Sequence, residues 1–324
     1  MSPARPLGPS TGTLDVLTFG EAMVSFRSAG PLQSDAAFTP GLAGAESNVA
    51  IALARLGHRT GWVGRLGADP FGELALRELR AEGVDVTGVS SEADAPTGLM
   101  FLEQRTADTS RVEYRRAGSA GSRLCPADIT SALELRPRIL HVTGITPALS
   151  QTAHDAWRAS LGEALGDDVF VSLDVNYRAR LWDRATARDV LRARVGRADV
   201  VIASEDELDL VADGAEAEAA EALLSRGASY VVVKRGACGA TVWTEGGRID
   251  APALPVRAID TVGAGDAFSA GFLSGLLDGL EPGQCLERGV LLGAWAVSTR
   301  GDWQGLPRRG ELDLLALGAG TTLR

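Results

Sequence analysis

The chain has 324 residues, of which 45% are hydrophobic, and a formal net charge of −10. That hydrophobic content excludes bulk disorder and suits either two domains or one large α/β unit with an appendage. The acidic balance excludes the basic stripe of a nucleic-acid surface, and no run reaches the roughly 18 consecutive apolar residues that a membrane span needs.

The opening stretch, residues 1–13, is rich in Pro, Gly, Ser and Thr without a signal-like apolar core, and reads as a disordered tail. Short β-rich runs follow at Val16 to Phe19 and Met23 to Phe26, and a hairpin is expected from Gly98 to Glu103 and Arg111 to Arg115 around the polar turn Thr106 to Ser110. Helices are expected over Asn48 to Leu56 and Phe71 to Ala81, each stopping at a glycine suited to a C-cap, Gly57 and Gly83. The early strands and the hairpin are assigned to a small β layer, and the two helices to the main body.

From about Arg138 strand and helix alternate. RILHVTG precedes a helix near Ala153 to Leu165, VFVSLDVN precedes Ala185 to Val195, and DVVIAS precedes a helix from Glu205. The Ala/Glu tract Ala215 to Ala222 reads as ordinary helix. YVVVKRG leads to a hairpin through TVW and RID, and two apolar helices close the pattern at Gly265 to Leu277 and Leu286 to Ser298. Such alternation predicts a doubly wound, mostly parallel α/β sheet with helices on both faces, in which ligands sit beyond the carboxyl ends of the strands. The polar residues follow the strands accordingly: Asp174 and Asn176, Ser204 to Glu207, Lys234 and Gly236, and Asp260 onward.

Among 32 basic residues Lys234 is the only lysine, which marks either a place where a compact ammonium suits better than a planar fork or a chance survivor in an arginine-rich chain. Cys125, Cys238 and Cys285 are scattered without ligand spacing, as free thiols of a reducing, cytoplasmic compartment would be. His58, His141 and His154 have no metal-site spacing either.

The chemistry-bearing segment is Asp260-Thr261-Val262-Gly263-Ala264-Gly265-Asp266, which runs into a glycine-lined helix. Gly263 and Gly265 let the backbone approach a phosphate, and first-turn amides favour negative charge there. Asp266 in that turn is placed to take a proton from an attacking hydroxyl while the amides stabilise the transferring phosphoryl group. The plain alternative is a tight turn with a helix-capping aspartate.

This segment resembles the C-terminal D-T-x-G-A-G-D signature of the ribokinase-like, or PfkB, carbohydrate kinases, and Gly41-Leu-Ala-Gly44-Ala-Glu-Ser-Asn48 through Leu56-Gly57 resembles the family's N-terminal signature. The resemblance runs from about Leu14 to Leu315. It implies a kinase domain over residues 14–315 with a β lid from segments around 15–40 and 97–116, followed by a C-terminal tail at 316–324. It also implies ATP with Mg²⁺, Asp266 as catalytic base, and the amides of Ala264, Gly265 and Asp266, next to Gly263, as an anion hole. Glu207 resembles the glutamate of the family's N-x-x-E motif, which organises Mg²⁺ indirectly. Ser204 replaces the asparagine there. Lys234 and Gly236 match the nucleotide-side K-x-G, Val290 stands where an asparagine often faces the base, and Gly301 to Pro307 is expected to bound the base and ribose pocket. Relatives assemble through the lid, so a homo-oligomer is implied.

Three further segments, Tyr114 to Ser122, His141 to Ser150 and Ser172 to Arg178, resemble the 2-keto-3-deoxygluconate kinases within the family. The implied substrate is a sugar acid whose carboxylate meets guanidinium forks. Arg116 and Arg178 are the candidates, with Tyr114, Gly44, Asn48 and Asp266 also facing substrate. Met100 stands where those relatives place a tyrosine, and a thioether donates no hydrogen bond. The bland reading leaves Arg116 at the end of a lid strand in solvent and pairs Arg178 with an acidic neighbour such as Asp174. A kinase for fructose, ribose or another keto-deoxy acid, and a non-catalytic sugar or nucleotide sensor, remain the alternatives. A dinucleotide-dependent oxidoreductase is set aside, because Glu21-Ala-Met follows the first strand in place of a glycine fingerprint.

Overall fold

The computed structural model describes residues 7, 12–33, 35–106, 109–162, 165 and 168–317. Its elements in order are β1 (Val16–Phe19), β2 (Met23–Ser28), β3 (Phe38–Ala43), α1 (Ala45–Arg55), β4 (Thr60–Val63), β5 (Arg65–Gly67), α2 (Pro70–Ala81), β6 (Ser90–Glu92), β7 (Gly98–Thr106) and β8 (Thr109–Arg115). Then come α3 (Pro126–Leu133), β9 (Ile139–Thr143), α4 (Gln151–Ser160), β10 (Phe170–Asp174), α5 (Arg184–Arg192), β11 (Val200–Ser204), α6 (Glu216–Ser225), β12 (Tyr230–Lys234), β13 (Ala240–Thr244), β14 (Gly247–Ala251), α7 (Ala264–Leu277) and α8 (Pro282–Val297).

Eight strands form the large sheet in the order β14-β13-β12-β11-β10-β9-β1-β4, parallel from β4 to β12 and antiparallel at the β13–β14 end. Its central strands are apolar on both sides because helices cover both faces. Alternate residues serve the two cores: Val200, Ile202 and Val232 lie in one with Trp62 and Phe272, while Val201, Ala203, Val231 and Val233 lie in the other with Trp157. After β1 the chain goes to β4 on one side and later returns as β9 on the other. The resulting crevice lies at the carboxyl ends, where doubly wound sheets bind ligands.

A separate four-strand sheet, β3-β2-β7-β8, forms the lid. Registers Met100↔Ser25, Leu102↔Arg27 and Met100↔Tyr114 put those side chains on one lid face. On the other face Phe26 stacks on Phe101 at 5.3 Å and meets Phe71 of α2 edge-on at 5.8 Å. That aromatic packing seats the lid on the body.

The expectation that Val16 to Phe19 belongs to the small layer is corrected. All four residues are buried, and β1 pairs on both sides inside the large sheet. The helix expected from Glu205 is instead a turn followed by a 3₁₀ turn at Leu208–Leu210, since the Glu207 side chain folds back onto the Ser204 amide at 2.9 Å. The helix expected near Ala153 to Leu165 spans Gln151–Ser160. Strands β3 to β6 and helix α3 add to the elements expected from the sequence. Of the expected N-terminal tail, Leu7 packs against the first core and the Thr13 amide reaches Leu135 O at 3.4 Å. Residues 1–6 and 8–11 of that tail, the tip of the lid hairpin at 107–108, and residues 318–324 lie outside the described residues.

Candidate active site

Helix α7 begins at Gly263, whose φ of 78° is left-handed. A Cβ there would lie 2.1 Å from Asp302 O, so only glycine fits both the turn and the contact. First-turn amides of a helix have no intrahelical acceptor. Those of Gly265 and Asp266 have no acceptor among the described residues, while that of Ala264 makes only a long contact to Thr261 O at 3.4 Å, an arrangement that suits an anion at this helix end.

Asp266 is 8% exposed, and burial pushes its carboxyl up to about 7. Its two oxygens are held by amides from different elements. Asn48, buried on α1, donates Nδ2 to Oδ2 at 2.8 Å, and Asn176, just after β10, donates Nδ2 to Oδ1 at 3.4 Å. The Asn48 bond and the nearby Arg178 oppose the burial effect, Asp174 adds to it, and Lys234 opposes it. Asn176 sits at φ 40°, a left-handed conformation that asparagine tolerates better than most side chains. Asn48 Oδ1 is buried with no partner among the described residues.

Beneath the anion-binding end, Lys234 Nζ donates to both oxygens of buried Asp174, at 3.0 and 2.8 Å, and Ser269 Oγ of α7 donates to the same carboxylate at 2.8 Å. Three elements are thereby tied at the sheet edge. The pairing of Arg178 with Asp174 weighed from the sequence does not occur, because Lys234 occupies that carboxylate. Lys234 and Gly236 also line a cavity of about 610 Å³ with Ala264, Gly265, Phe268 and Val290. Its wall is largely aliphatic, which suits a purine face.

Glu207 and Ser204 are absent from that cavity's wall. Glu207 is 8% exposed and clips two strand ends together, accepting from Tyr177 N at 2.7 Å and Ser204 N at 2.9 Å. Ser204 Oγ turns to Asp206 at 2.6 Å.

On the lid side, Tyr114, Arg116 and Arg178 line a second cavity of about 760 Å³, together with Ser122, Tyr177 and Arg180. Arg116 stacks over Tyr114 at 5.5 Å and pairs with Glu21, which is 2% exposed. Arg178 is exposed and donates to Tyr177 O at 3.3 Å, with no carboxylate partner among the described residues. Met100 is buried on the same lid face as Tyr114 without reaching the wall of this cavity. Gly44 likewise stands off the wall. A Cβ there would come within 2.5 Å of Glu21 O, so Gly44 serves a close backbone approach.

Sequence reasoning passed over Glu21, Asp174 as the partner of Lys234, Asn176 as a partner of Asp266, and Asp302. Asp174 and Asn176 were within reach of the rule that functional residues follow the strands. Glu21 and Asp302 act through contacts remote in sequence and leave no local signal.

The chain matches the pfkB family carbohydrate kinases over residues 13–309. It is 40% identical to the 2-dehydro-3-deoxygluconokinase of Bacillus subtilis, covering 92% of this chain and 94% of that protein, and 35% identical to the one of Thermoproteus tenax, covering 95% of each. The solved 2-dehydro-3-deoxygluconokinase of Thermotoga maritima superposes with a TM-score of 0.85 at 27% identity, over 94% of this chain and 98% of that one. With a family match over nearly the whole chain and a lidded α/β crevice at its signature segment, this protein belongs to the pfkB family of carbohydrate kinases.

Proposed function

We propose that this kinase transfers the γ-phosphoryl group of ATP to the terminal hydroxyl of 2-keto-3-deoxygluconate, giving 2-keto-3-deoxy-6-phosphogluconate and ADP. The observation that carries the reading is buried Asp266, pushed up to about 7, at the start of α7 and within electrostatic reach of Arg178, which has no carboxylate partner among the described residues. The substrate lies between the lid and the sheet edge with its carboxylate on the Arg178 fork. Arg116 arrives already neutralised by Glu21, so it shapes the pocket with Tyr114 more than it adds net charge. Asn48 Oδ1 is free to accept from a sugar hydroxyl, which supports a polyol acceptor.

In the chemical step the acceptor oxygen forms a bond to the γ-phosphorus and the bond from that phosphorus to the bridging oxygen breaks. The electron pair leaves on ADP, and the hydroxyl proton passes to the Asp266 carboxylate. The amides of Ala264, Gly265 and Asp266 stabilise the negative charge spread over the phosphoryl oxygens. Closing the lid excludes water as a competing acceptor.

Mg²⁺ fits this site as a phosphate-borne ion. Among the described residues no group of three or more His, Cys, Asp or Glu side chains could hold a metal, and Mg²⁺ commonly keeps waters and substrate phosphates as ligands. When bound it neutralises charge on the phosphates. Glu207, with both oxygens accepting backbone amides, would reach it only through water. The free thiols of Cys125, Cys238 and Cys285 fit the cytoplasm.

A second reading, a kinase for a neutral sugar or another keto-deoxy acid, draws on Met100 and on the neutralised Arg116, and related kinases act on other sugars. A coupled ADP-release assay with Mg-ATP decides between them, comparing 2-keto-3-deoxygluconate with fructose, ribose and gluconate. Selective turnover of the keto-deoxy acid is expected. Preference for fructose or ribose would overturn the substrate while leaving the family untouched.

A further inference from the structure

Arg27 lies on β2 of the lid, on the face that carries Ser25 and Met100. Its guanidinium crosses to the body, where Nη1 donates to Asp260 Oδ2 at 2.5 Å and Nη2 donates to Asp302 Oδ1. Both acceptors belong to the machinery around α7. Asp260 opens the signature segment, with Oδ1 accepting from Val262 N at 3.1 Å and Oδ2 accepting from Gly301 N at 3.3 Å. Asp302 is 4% exposed and presses its backbone oxygen against Gly263. Burial raises the Asp302 pKa, while Arg27 and the Asn48 amide both favour its charged form. Asn48 is also the residue that donates to Asp266. One lid cation therefore touches both sides of the glycine turn and stands three contacts from the candidate base, with Asp302 and Asn48 between.

Arg27 divides its planar fork between two carboxylates, as Arg65 and Arg235 do elsewhere, but its acceptors, Asp260 and Asp302, flank the glycine turn at the start of α7. A fork can hold two acceptors in fixed relative positions, whereas an ammonium is a point charge with freely rotating donors.

We propose that Arg27 is a positioning residue: by bridging Asp260 and Asp302 it fixes the glycine turn and, through Asp302 and Asn48, the orientation of Asp266, so that lid placement and the reacting carboxylate are set together. The proposal rests on the assignment of Asp266 as the base. It makes the lid part of the phosphoryl-transfer apparatus as well as a cover for the sugar.

The test uses Arg27→Lys, which keeps a charge beside both carboxylates and so protects the fold, and Asp302→Asn, which leaves the Arg27–Asp260 pair intact. For each, thermal melting, kcat, KM for ATP and the pH dependence of kcat/KM are measured on the whole chain. Both variants are expected to melt as folded proteins and to lose kcat by about 10- to 100-fold through misplacement of the reacting groups, with KM for ATP changed by less than about threefold. As the Asn48 bond to Asp266 loosens, the acid limb of kcat/KM should move up by about half a pH unit. The groups facing Asp266 in that titration are Asn48, Asn176, Arg178, Asp174 and Lys234. In an Asn48→Ala background, Arg27→Lys should move the limb no further.

Variants with kcat within about twofold of the parent and an unmoved limb would overturn the proposal. So would a fall in melting temperature and kcat with no change in the limb, which is the signature of a purely structural pair. Asp266→Asn is the control: near-parent turnover in that variant defeats the base assignment itself, whereas an inactive Asp266→Asn beside a neutral Arg27→Lys defeats only the coupling.

Discussion

The two halves of the crevice are built differently. At the start of α7 the candidate features lie in one short segment: a left-handed Gly263, the first-turn amides and Asp266. On the lid side the candidate features are side chains gathered from Glu21, Tyr114, Arg116 and Arg178, brought together only by folding. Phosphoryl groups are alike whatever the sugar, so a contiguous backbone device suits any acceptor. Sugar recognition is specific to each kinase and depends on dispersed side chains that can change independently.

Four substitutions sharpen that contrast. Asp266→Asn should lower kcat by about 10²- to 10⁴-fold, the usual contribution of a positioned base, with steady-state ADP release as the measure. The same substitution should stabilise the fold at neutral to alkaline pH. Because the folded pKa lies above the unfolded one, the folded state holds the proton more tightly, and stability falls as pH rises from about 4 to about 7. Thermal melting of both proteins at pH 8 checks this, and a less stable variant would contradict the burial argument. Gly263→Ala, which places a Cβ against Asp302 O at a left-handed φ, should cost activity toward every sugar acceptor, by roughly 100-fold or more if reacting groups shift by about 1 Å. Measuring kcat/KM for two acceptors tests whether the loss is indiscriminate.

On the lid side the loss should be selective. Arg178→Ala should raise KM for the keto-deoxy acid by about 10- to 100-fold, the worth of a charged hydrogen bond, and leave a neutral sugar almost unaffected. Equal effects on both would make Arg178 structural. Glu207→Gln should have the smallest effect, about threefold in KM for ATP from one weakened backbone bond, because its carboxylate clips Tyr177 N and Ser204 N rather than lining the nucleotide cavity.

What could be read before folding follows the same division. The large sheet was legible because β-branched runs such as DVVIAS and YVVVKRG are buried on both faces, and the glycine segment was legible because its residues are contiguous. Val16 to Phe19 was misplaced because a short apolar strand looks the same in a lid or a central sheet. Only its pairing with β4 and β9 tells them apart. The Lys234–Asp174–Ser269 cluster, the Glu21–Arg116 pair and the Arg27 bridge depend on three-dimensional proximity and carry no spacing signal. Lys234 alone gave a hint, as the one lysine in an arginine-rich chain.

If buried Asp266 takes the acceptor proton, the pH dependence of kcat/KM with 2-keto-3-deoxygluconate must report its ionisation. Burial pushes His58 and His141 down to about 4, so neither accounts for a limb near neutrality. Because the base must be ionised, the account predicts a rate that falls below a limb near 7 in the parent, and a residual rate in Asp266→Asn without that limb. A parent profile flat from about pH 5.5 to 8.5, or a limb that survives in Asp266→Asn, would contradict it.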